Sequence, residues 1–428
     1  MLNGTRLLLR LCFGNLLVKR VGLWLGIDRA VFFTLLARVW SVSAGLLTIV
    51  FVTRFLSPEL QGYYYTFYSL IALQIVVELG LNFAIIQFAS HEMAKLSWTL
   101  EGTVSGSPEA KRRLQSLMHF AVSWYGVAAL LMVAVLLPVG VHFFATASPE
   151  GASVPNVSAP WLLLVVFTAA NLIVNASVAV LEGCGKMAQV AILRLWQSVF
   201  SFTAVWIVLS LGGHLYALAA SSLMMALVGL TLLWVKHRFF FKDLFCHRTP
   251  LPGMNWRREI WPFQWRIAVS WMSGYLIFQL FNPLLFATHG PVVAGQMGMS
   301  LQIITAMNSV AMAWITTKAP IYGQLIATKQ SNALDTLFFR GLAQSFSFLV
   351  IGVISVLLII FYLTSIESPY AIRVVPPYLF VILGLVCLAN HIVYAEAAYL
   401  RAHKQEPFMV LSVLNGVATG MLALLLIP

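Results

Sequence analysis

Two ionisable side chains lie where apolar sequence surrounds them: Arg38 in VFFTLLARVWSVSAGLLTIVF and Glu78 in LIALQIVVELGLNFAII. An ionisable group in hydrocarbon costs about 2.5–3.5 kcal/mol on insertion scales, so it faces a partner or a wet cavity. A guanidinium there can hold an anion, and a carboxyl can take up a proton or a cation. Counting outward along two antiparallel helices from the turn near Glu59 and Leu60 sets Arg38 opposite position 81, within one turn of Glu78. An ion pair is therefore expected. Two roles stay open for it: a cavity cation beside an ion-coupling acid, or a structural pair joining the first two helices.

Neutral polar residues add stripes at helical spacing. Gln74, Glu78 and Asn82 recur every four residues; Tyr275, Gln279 and Asn282 share a face before Pro283; Gln302, Thr305 and Ser309 do likewise, as do Asn171, Asn175 and Glu182. Singly, each stripe suits hydrogen bonding between membrane helices, and together they suggest a polar interior. Arg266, in PFQWRIA, and Lys318, in AWITTKAP, sit at helix ends. They either snorkel to the interface or, pointing inward with Arg38, make a cationic mouth suited to phosphate.

Catalytic signatures are weak. GCGKMA at 183–188 has the spacing of a dinucleotide fingerprint but follows an apolar helix rather than a strand. The sequence has no HExxH, no phosphate loop ending GKS or GKT, and no GxSxG elbow. Neither a catalytic residue nor a cofactor is expected, and no metal.

What must position these residues is a set of membrane helices. With 428 residues, 60% hydrophobic, 9% charged and a mean hydropathy of +0.89, the chain has too little polar surface for a soluble core of its size. About eleven apolar runs, each near the roughly 20 residues a bilayer requires, fall at 31–56, 63–89, 117–145, 160–181, 188–211, 214–235, 265–288, 292–317, 340–364, 374–400 and 408–427. With the N-terminus in the cytoplasm, all of the 26 Lys and Arg except Arg38, Arg54 and Arg373 fall on the inner side. The net charge of +12 is thus a matter of topology, to which anionic lipid can respond, and no nucleic-acid partner is expected. Residues 1–30 mix Leu with Arg and Lys without a cleavage site, which predicts an interfacial cytoplasmic segment rather than a signal peptide. Cys12, Cys184, Cys246 and Cys387 suggest no disulfide framework.

The basic, aromatic stretch 236–262 divides six runs (31–235) from five (263–428) as a cytoplasmic linker. The halves look related. Pro58 and Gly62 match Pro291 and Gly295 at an offset of 233, and Asn171, Leu181 and Glu182 fall over Asn390, Leu400 and Arg401 at an offset of 219. Equivalent runs point the same way, which predicts parallel repeats about an axis along the membrane normal. A counterpart to the sixth run needs roughly 20 more apolar residues after Pro428, so the expectation is a lost twelfth span or an early end, with the C-terminus outside.

From about residue 31 onward the chain resembles the O-antigen and polysaccharide flippases of the multidrug, oligosaccharidyl-lipid and polysaccharide exporter superfamily. The likeness rests on the order of TRFLSPELQGYY at 53–64, ELGLN at 78–82, LEGCGK at 181–186 and GQMGMSLQIITAMNSVAMAWITTKAP at 295–320. That family usually has twelve spans. The resemblance implies an all-α polytopic fold: two bundles in a V around a cavity lined by helices one, two, seven and eight. It implies transfer of an undecaprenyl-diphosphate-linked oligosaccharide from the cytoplasmic to the periplasmic leaflet of a bacterial inner membrane by alternating access, driven by an ion gradient or potential. It further implies membrane lipids, a polysaccharide polymerase and a chain-length regulator as partners. On this reading Arg38, Arg266 and Lys318 meet the diphosphate, Gln279, Asn282 and Gln302 bond sugar or phosphate, and Glu78 couples an ion. The rivals are a drug antiporter of the same fold, for which an acidic cavity is expected, a membrane glycan polymerase or transferase, for which a larger outer loop is expected, and a scaffold of the assembly machinery.

Overall fold

In a computed structural model of the chain, the described residues are 29–147, 157–246, 261–318, 321–322, 325–326, 328–403 and 408–426. The interfacial segment expected over 1–30 lies almost wholly outside them, as does the linker from 247 to 260.

Backbone in hydrocarbon must satisfy its own N–H and C=O groups, so these apolar runs become helices. The first is α1 (Arg29–Phe55). A tight turn leads to α2 (Pro58–Ile71), which Ser57 caps by accepting the Leu60 N–H at 3.2 Å, with Pro58 opening the first turn. The second run then breaks. After α3 (Gln74–Glu78), Leu79 (φ 52°) and Gly80 (φ 66°) are both left-handed, and α4 (Leu81–Met93) departs at 43°. A short hairpin of β1 (Leu96–Trp98) and β2 (Val104–Gly106) follows, pairing Trp98 with Val104. Next come α5 (Pro108–Thr146), α6 (Ser158–Gly183), α7 (Met187–Ser210) and α8 (Tyr216–Cys246). The rest is α9 (Trp261–Phe278), α10 (Phe281–Thr316), α11 (Ser331–Ser365), a 3-10 turn at Ala371–Arg373, α12 (Pro377–Ala402) and α13 (Phe408–Leu426).

Among the described residues eight helices are long and apolar enough to cross a membrane, or nine with the bent pair 58–93 counted as one, against about eleven expected. The difference has two sources. Val410–Leu426 is a shorter apolar helix, and Met272–Thr316 counts once. Yet the chain reverses inside that stretch, at Gly290 (φ 84°, ψ 176°), a conformation open to glycine. Asn282 lies at Ser69, Phe286 at Tyr63, Pro291 at Gly62 and Gly298 at Tyr65. The chain therefore runs up α2 before Gly290 and down it afterwards, so the seventh and eighth apolar runs are two arms of one hairpin.

Helix α1 packs along α7, which packs on α8; α6 touches α4, α5 and α8. Among the later helices α10, α11 and α12 pack together and α9 pairs with α13. Helix α2 departs from its sequence neighbours and lies chiefly against α10. The expected hairpin of the first two helices is thus corrected: α1 meets α2 only near the connecting turn, and the interruption at Ala72 and Leu73, ahead of Glu78, voids a register counted along a continuous helix.

The end bearing most of the Lys and Arg is fastened by ion pairs, Arg113 to Glu92 at 2.7 Å and Lys111 to Asp243 at 2.9 Å. Trp98 donates its indole N–H to the Cys184 carbonyl at 2.9 Å, lies under the Lys186 ammonium and packs against buried Phe240. The stretch read as a linker from Lys236 therefore begins as helix, because its aromatics cap the amino-terminal helices.

Candidate functional site

The seam that α10 makes with α2, and further along with α1, gathers much of the polar chemistry. At the base-poor end the backbones touch. A Cβ added at Gly62 would fall 1.8 Å from the Pro291 carbonyl oxygen, and one added at Gly295 would fall 2.9 Å from the Gly62 nitrogen. Only glycine permits that approach. Beside it Gln61, 1% exposed, donates from Nε2 to the Gly295 carbonyl at 2.9 Å and to the Arg373 carbonyl at 2.8 Å. Arg373 returns the contact, donating from Nη1 to Gln61 Oε1 and from Nη2 to the Thr53 carbonyl, both at 3.2 Å. Burial pulls the Arg373 pKa below its ordinary value, while Glu59 opposes that shift. Two more bonds hold the same connecting segment: Gln296 Nε2 donates to the Ile372 carbonyl at 3.1 Å, and Val375 N–H donates to Ser300 Oγ at 3.1 Å. This end is sealed by backbone contact and by a guanidinium with two acceptors.

Midway, the Tyr65 hydroxyl donates to Gln302 Oε1 at 2.5 Å, and Gln302 Nε2 reaches the Gly45 carbonyl on α1 at 3.4 Å. Asn282 Nδ2 donates to Ser69 Oγ at 3.0 Å, while its Oδ1 is buried with no partner among the described residues. Asn82 and Asn171 also bury partnerless amide oxygens. An unmatched acceptor in this setting costs about 1–3 kcal/mol, which a donor such as a ligand hydroxyl would relieve. The half-buried Gln279 side chain also has no hydrogen bond among the described residues.

At the basic end Arg38, exposed, donates from Nη1 to Thr316 Oγ1 at 2.9 Å, linking α1 to the last turn of α10. Lys318 is half-buried, its Nζ 3.3 Å from where a Gly341 Cβ would stand. The side chain of Arg266 falls outside the described residues. The expected Arg38–Glu78 ion pair is absent among the described residues. Glu78 is half-buried at the helix break and interacts electrostatically with the phenol of Tyr125, whereas Arg38 is turned to Thr316. At that same break buried Gln264 donates its side-chain amide to the Leu79 carbonyl, which the left-handed turn has freed from helical pairing.

Asn282 and Gln302 thus share the seam, Arg38 and Lys318 both lie at its basic end, and Glu78 stands apart. Sequence reasoning missed Gln61, Tyr65, Ser69, Thr316 and Arg373. Gln61 stands inside the quoted TRFLSPELQGYY and Tyr65 directly follows it, but a polar residue at a helix start carries no signal of the helix it will meet. Arg373 had one: it is among three bases that break the charge asymmetry. Among the described residues no group of three or more His, Cys, Asp or Glu side chains could hold a metal ion.

Compared with known proteins, residues 27–326 match the family described as polysaccharide biosynthesis protein. Among solved structures the chain is similar to an outward-facing conformation of a multidrug resistance transporter of the MOP superfamily, at 13% identity and a TM-score of 0.50, covering 92% of this chain and 84% of that one. An inward-facing conformation of such a transporter gives 14% identity and a TM-score of 0.49 over 91% and 83%. A MOP superfamily transporter from Pyrococcus furiosus, described as having reversed binding-pocket polarity, gives 15% and 0.49 over 92% and 84%. No curated protein matches the chain significantly.

Proposed function

Because the chain belongs to the polysaccharide biosynthesis protein family, we propose that it is a flippase that carries a polyprenyl-diphosphate-linked oligosaccharide across the bacterial inner membrane. The family and the fold are those of transporters. The observation that carries the finer reading is the seam itself: cationic groups at its basic end, amide and hydroxyl groups midway, and closure by Arg373 and Gln61 at the far end.

A diphosphate cannot enter hydrocarbon unaided, whereas its isoprenoid tail is at home there. A carrier must therefore solvate the headgroup while the tail stays in the bilayer. Arg38, with Lys318 close by and Arg266 on the neighbouring α9, would draw the diphosphate in from the cytoplasmic side. Asn282, with its unmatched acceptor, and Gln279 and Gln302 would then exchange protein hydrogen bonds for bonds to sugar hydroxyls. Glu78, set apart at a helix break, is the candidate for ion coupling. With cations outnumbering the lone acid among these groups, the seam favours an anionic cargo over the cationic drugs of an antiporter.

Deleting the gene tests this. Surface glycan should fall, complete unpolymerised repeat units on the lipid carrier should accumulate in the inner leaflet, and wild type but not Arg38→Ala should restore export. Unchanged surface glycan would reject the assignment.

A further inference from the structure

The carboxy-terminal helices bury one ionisable group that the seam does not use. His391 on α12 is fully buried, with Nδ1 2.8 Å from Asn308 Oδ1 on α10 and Nε2 2.9 Å from Ser345 Oγ on α11. Ser345 Oγ also lies 3.0 Å from the Leu342 carbonyl. An amide oxygen only accepts, so Nδ1 carries a hydrogen. The serine hydroxyl has one proton and two places to put it. Donated to Nε2, it leaves the imidazole neutral. Donated to Leu342, it frees an oxygen lone pair for an Nε2–H, and the ring is then an imidazolium. Both states satisfy both ring nitrogens, and they differ by one added proton on Nε2 and by the turn of the hydroxyl hydrogen. A histidine that merely joins helices needs just one of these arrangements.

We propose that Asn308, His391 and Ser345 form a proton-binding site through which pH acts on α10. The proton comes from water and binds Nε2 while the serine hydrogen turns to the Leu342 carbonyl; release reverses both moves. Asn308 lies on the same arm of α10 as Gln302 and Thr316, so a charge gained at His391 bears on the helix that closes the seam. On α12 itself Tyr394 and Cys387 lie about one turn away and the exposed Glu396 stands five residues further along, while Phe278 at the end of α9 touches the Tyr394 ring. Helix α10 carries only His289, on the far side of its reversal. On α11 Asp335 and Arg340 stand toward the basic end, where Asp335 accepts the Tyr399 hydroxyl at 2.6 Å. On that side Ala395, one turn from His391, packs in a buried apolar cluster with Ile315 and Phe338.

The test uses full-length protein with nitrogen-labelled histidine in lipid nanodiscs, with the His391 signal assigned by subtracting the spectrum of His391→Gln. In the wild type that signal should pass from the neutral Nδ1–H form to the imidazolium as the pH is lowered. Asn308→Asp, which puts a carboxylate against Nδ1, should raise the midpoint by about one to three pH units. Spin labels at Ser210→Cys and Ile366→Cys, with Cys12 and Cys246 replaced, should report a pH-dependent separation that His391→Gln abolishes. A signal fixed in the neutral form in both wild type and Asn308→Asp overturns the proton site, and a titrating imidazole with a pH-independent label distance overturns its action on α10. Neither readout involves transported cargo, so failure here leaves the flippase reading to its own test.

Discussion

Replacing Gly62 by alanine should open the base-poor end. The new Cβ would stand 1.8 Å from the Pro291 oxygen, 2.4 Å from its carbonyl carbon and 2.7 Å from its Cα, all backbone atoms with no rotamer to escape into. Ordinary contact needs about 3.5 Å, so α10 must withdraw by roughly 1.7 Å. The 2.9 Å bond from Gln61 to Gly295 would lengthen to about 4.6 Å, beyond any hydrogen bond. Losing it and loosening the Arg373 contacts that share Gln61 removes about 2–4 kcal/mol from the closed state, since neutral bonds contribute roughly 0.5–1.5 kcal/mol and charged ones about 1.5–3. At about 1.4 kcal/mol per factor of ten, the open fraction rises roughly 30- to 700-fold. The assay is modification of Ser69→Cys, a fully buried position, by a membrane-impermeant maleimide added from the base-poor side. Reactivity should increase at least about tenfold in the Gly62→Ala background. A folded double variant labelled as slowly as Ser69→Cys alone would refute the reasoning.

Arg373→Ala should raise the same reactivity, and Arg373→Lys should restore little, because one ammonium cannot span Gln61 and the Thr53 carbonyl in the geometry of a guanidinium fork; full closure with lysine would contradict the two-acceptor account. Tyr65→Phe removes the 2.5 Å bond to Gln302 and should lower the midpoint of thermal unfolding by an amount equivalent to about 0.5–1.5 kcal/mol. Arg113→Ala leaves the Glu92 carboxylate, 8% exposed, without its ion-pair partner and should destabilise the protein by about 1–3 kcal/mol in detergent, where a change under a few tenths would mark the pair as dispensable. Arg38→Ala and Glu78→Gln should shift the midpoint of thermal unfolding additively, since the two side chains do not meet; a coupling energy above about 1 kcal/mol would show that they do.

The helices and their order were legible because hydrocarbon admits few backbone solutions, and the charge asymmetry gave them a direction. The pairing of Pro58 and Gly62 with Pro291 and Gly295 was read as evidence of a repeat, and the structure gives it a further meaning. These residues touch, with Gly62 set on Pro291 and Gly295 on Gly62. A sequence offset relates positions without saying that they meet, so the closest contact of the seam stayed hidden in plain view. Register failed where local backbone events intervened, the first at Ala72 and Leu73. ELGLN gives no warning that Leu79 will be left-handed, and two such residues in succession rotate everything beyond them. Gln302 emerged from helical spacing because its helix stays regular there, while Asn282 was found although its stripe crosses the break between α9 and α10. Gln61, Thr316 and Arg373 did not, since each finds its partner on an element far away in sequence. The Asn308–His391–Ser345 chain escaped for the same reason, as its three residues come from three helices.

Transfer of a lipid-linked sugar by the purified protein is the most direct test. Vesicles would carry a fluorescent polyprenyl diphosphate bearing a short glycan, with a glycan-specific lectin outside to report arrival at the outer leaflet. Wild type should deliver the glycan to the lectin, Arg38→Ala should fail, and a fluorescent phospholipid of equal chain length should stay where it was placed. Folded wild-type protein that moves neither lipid, or moves both alike, would contradict the account.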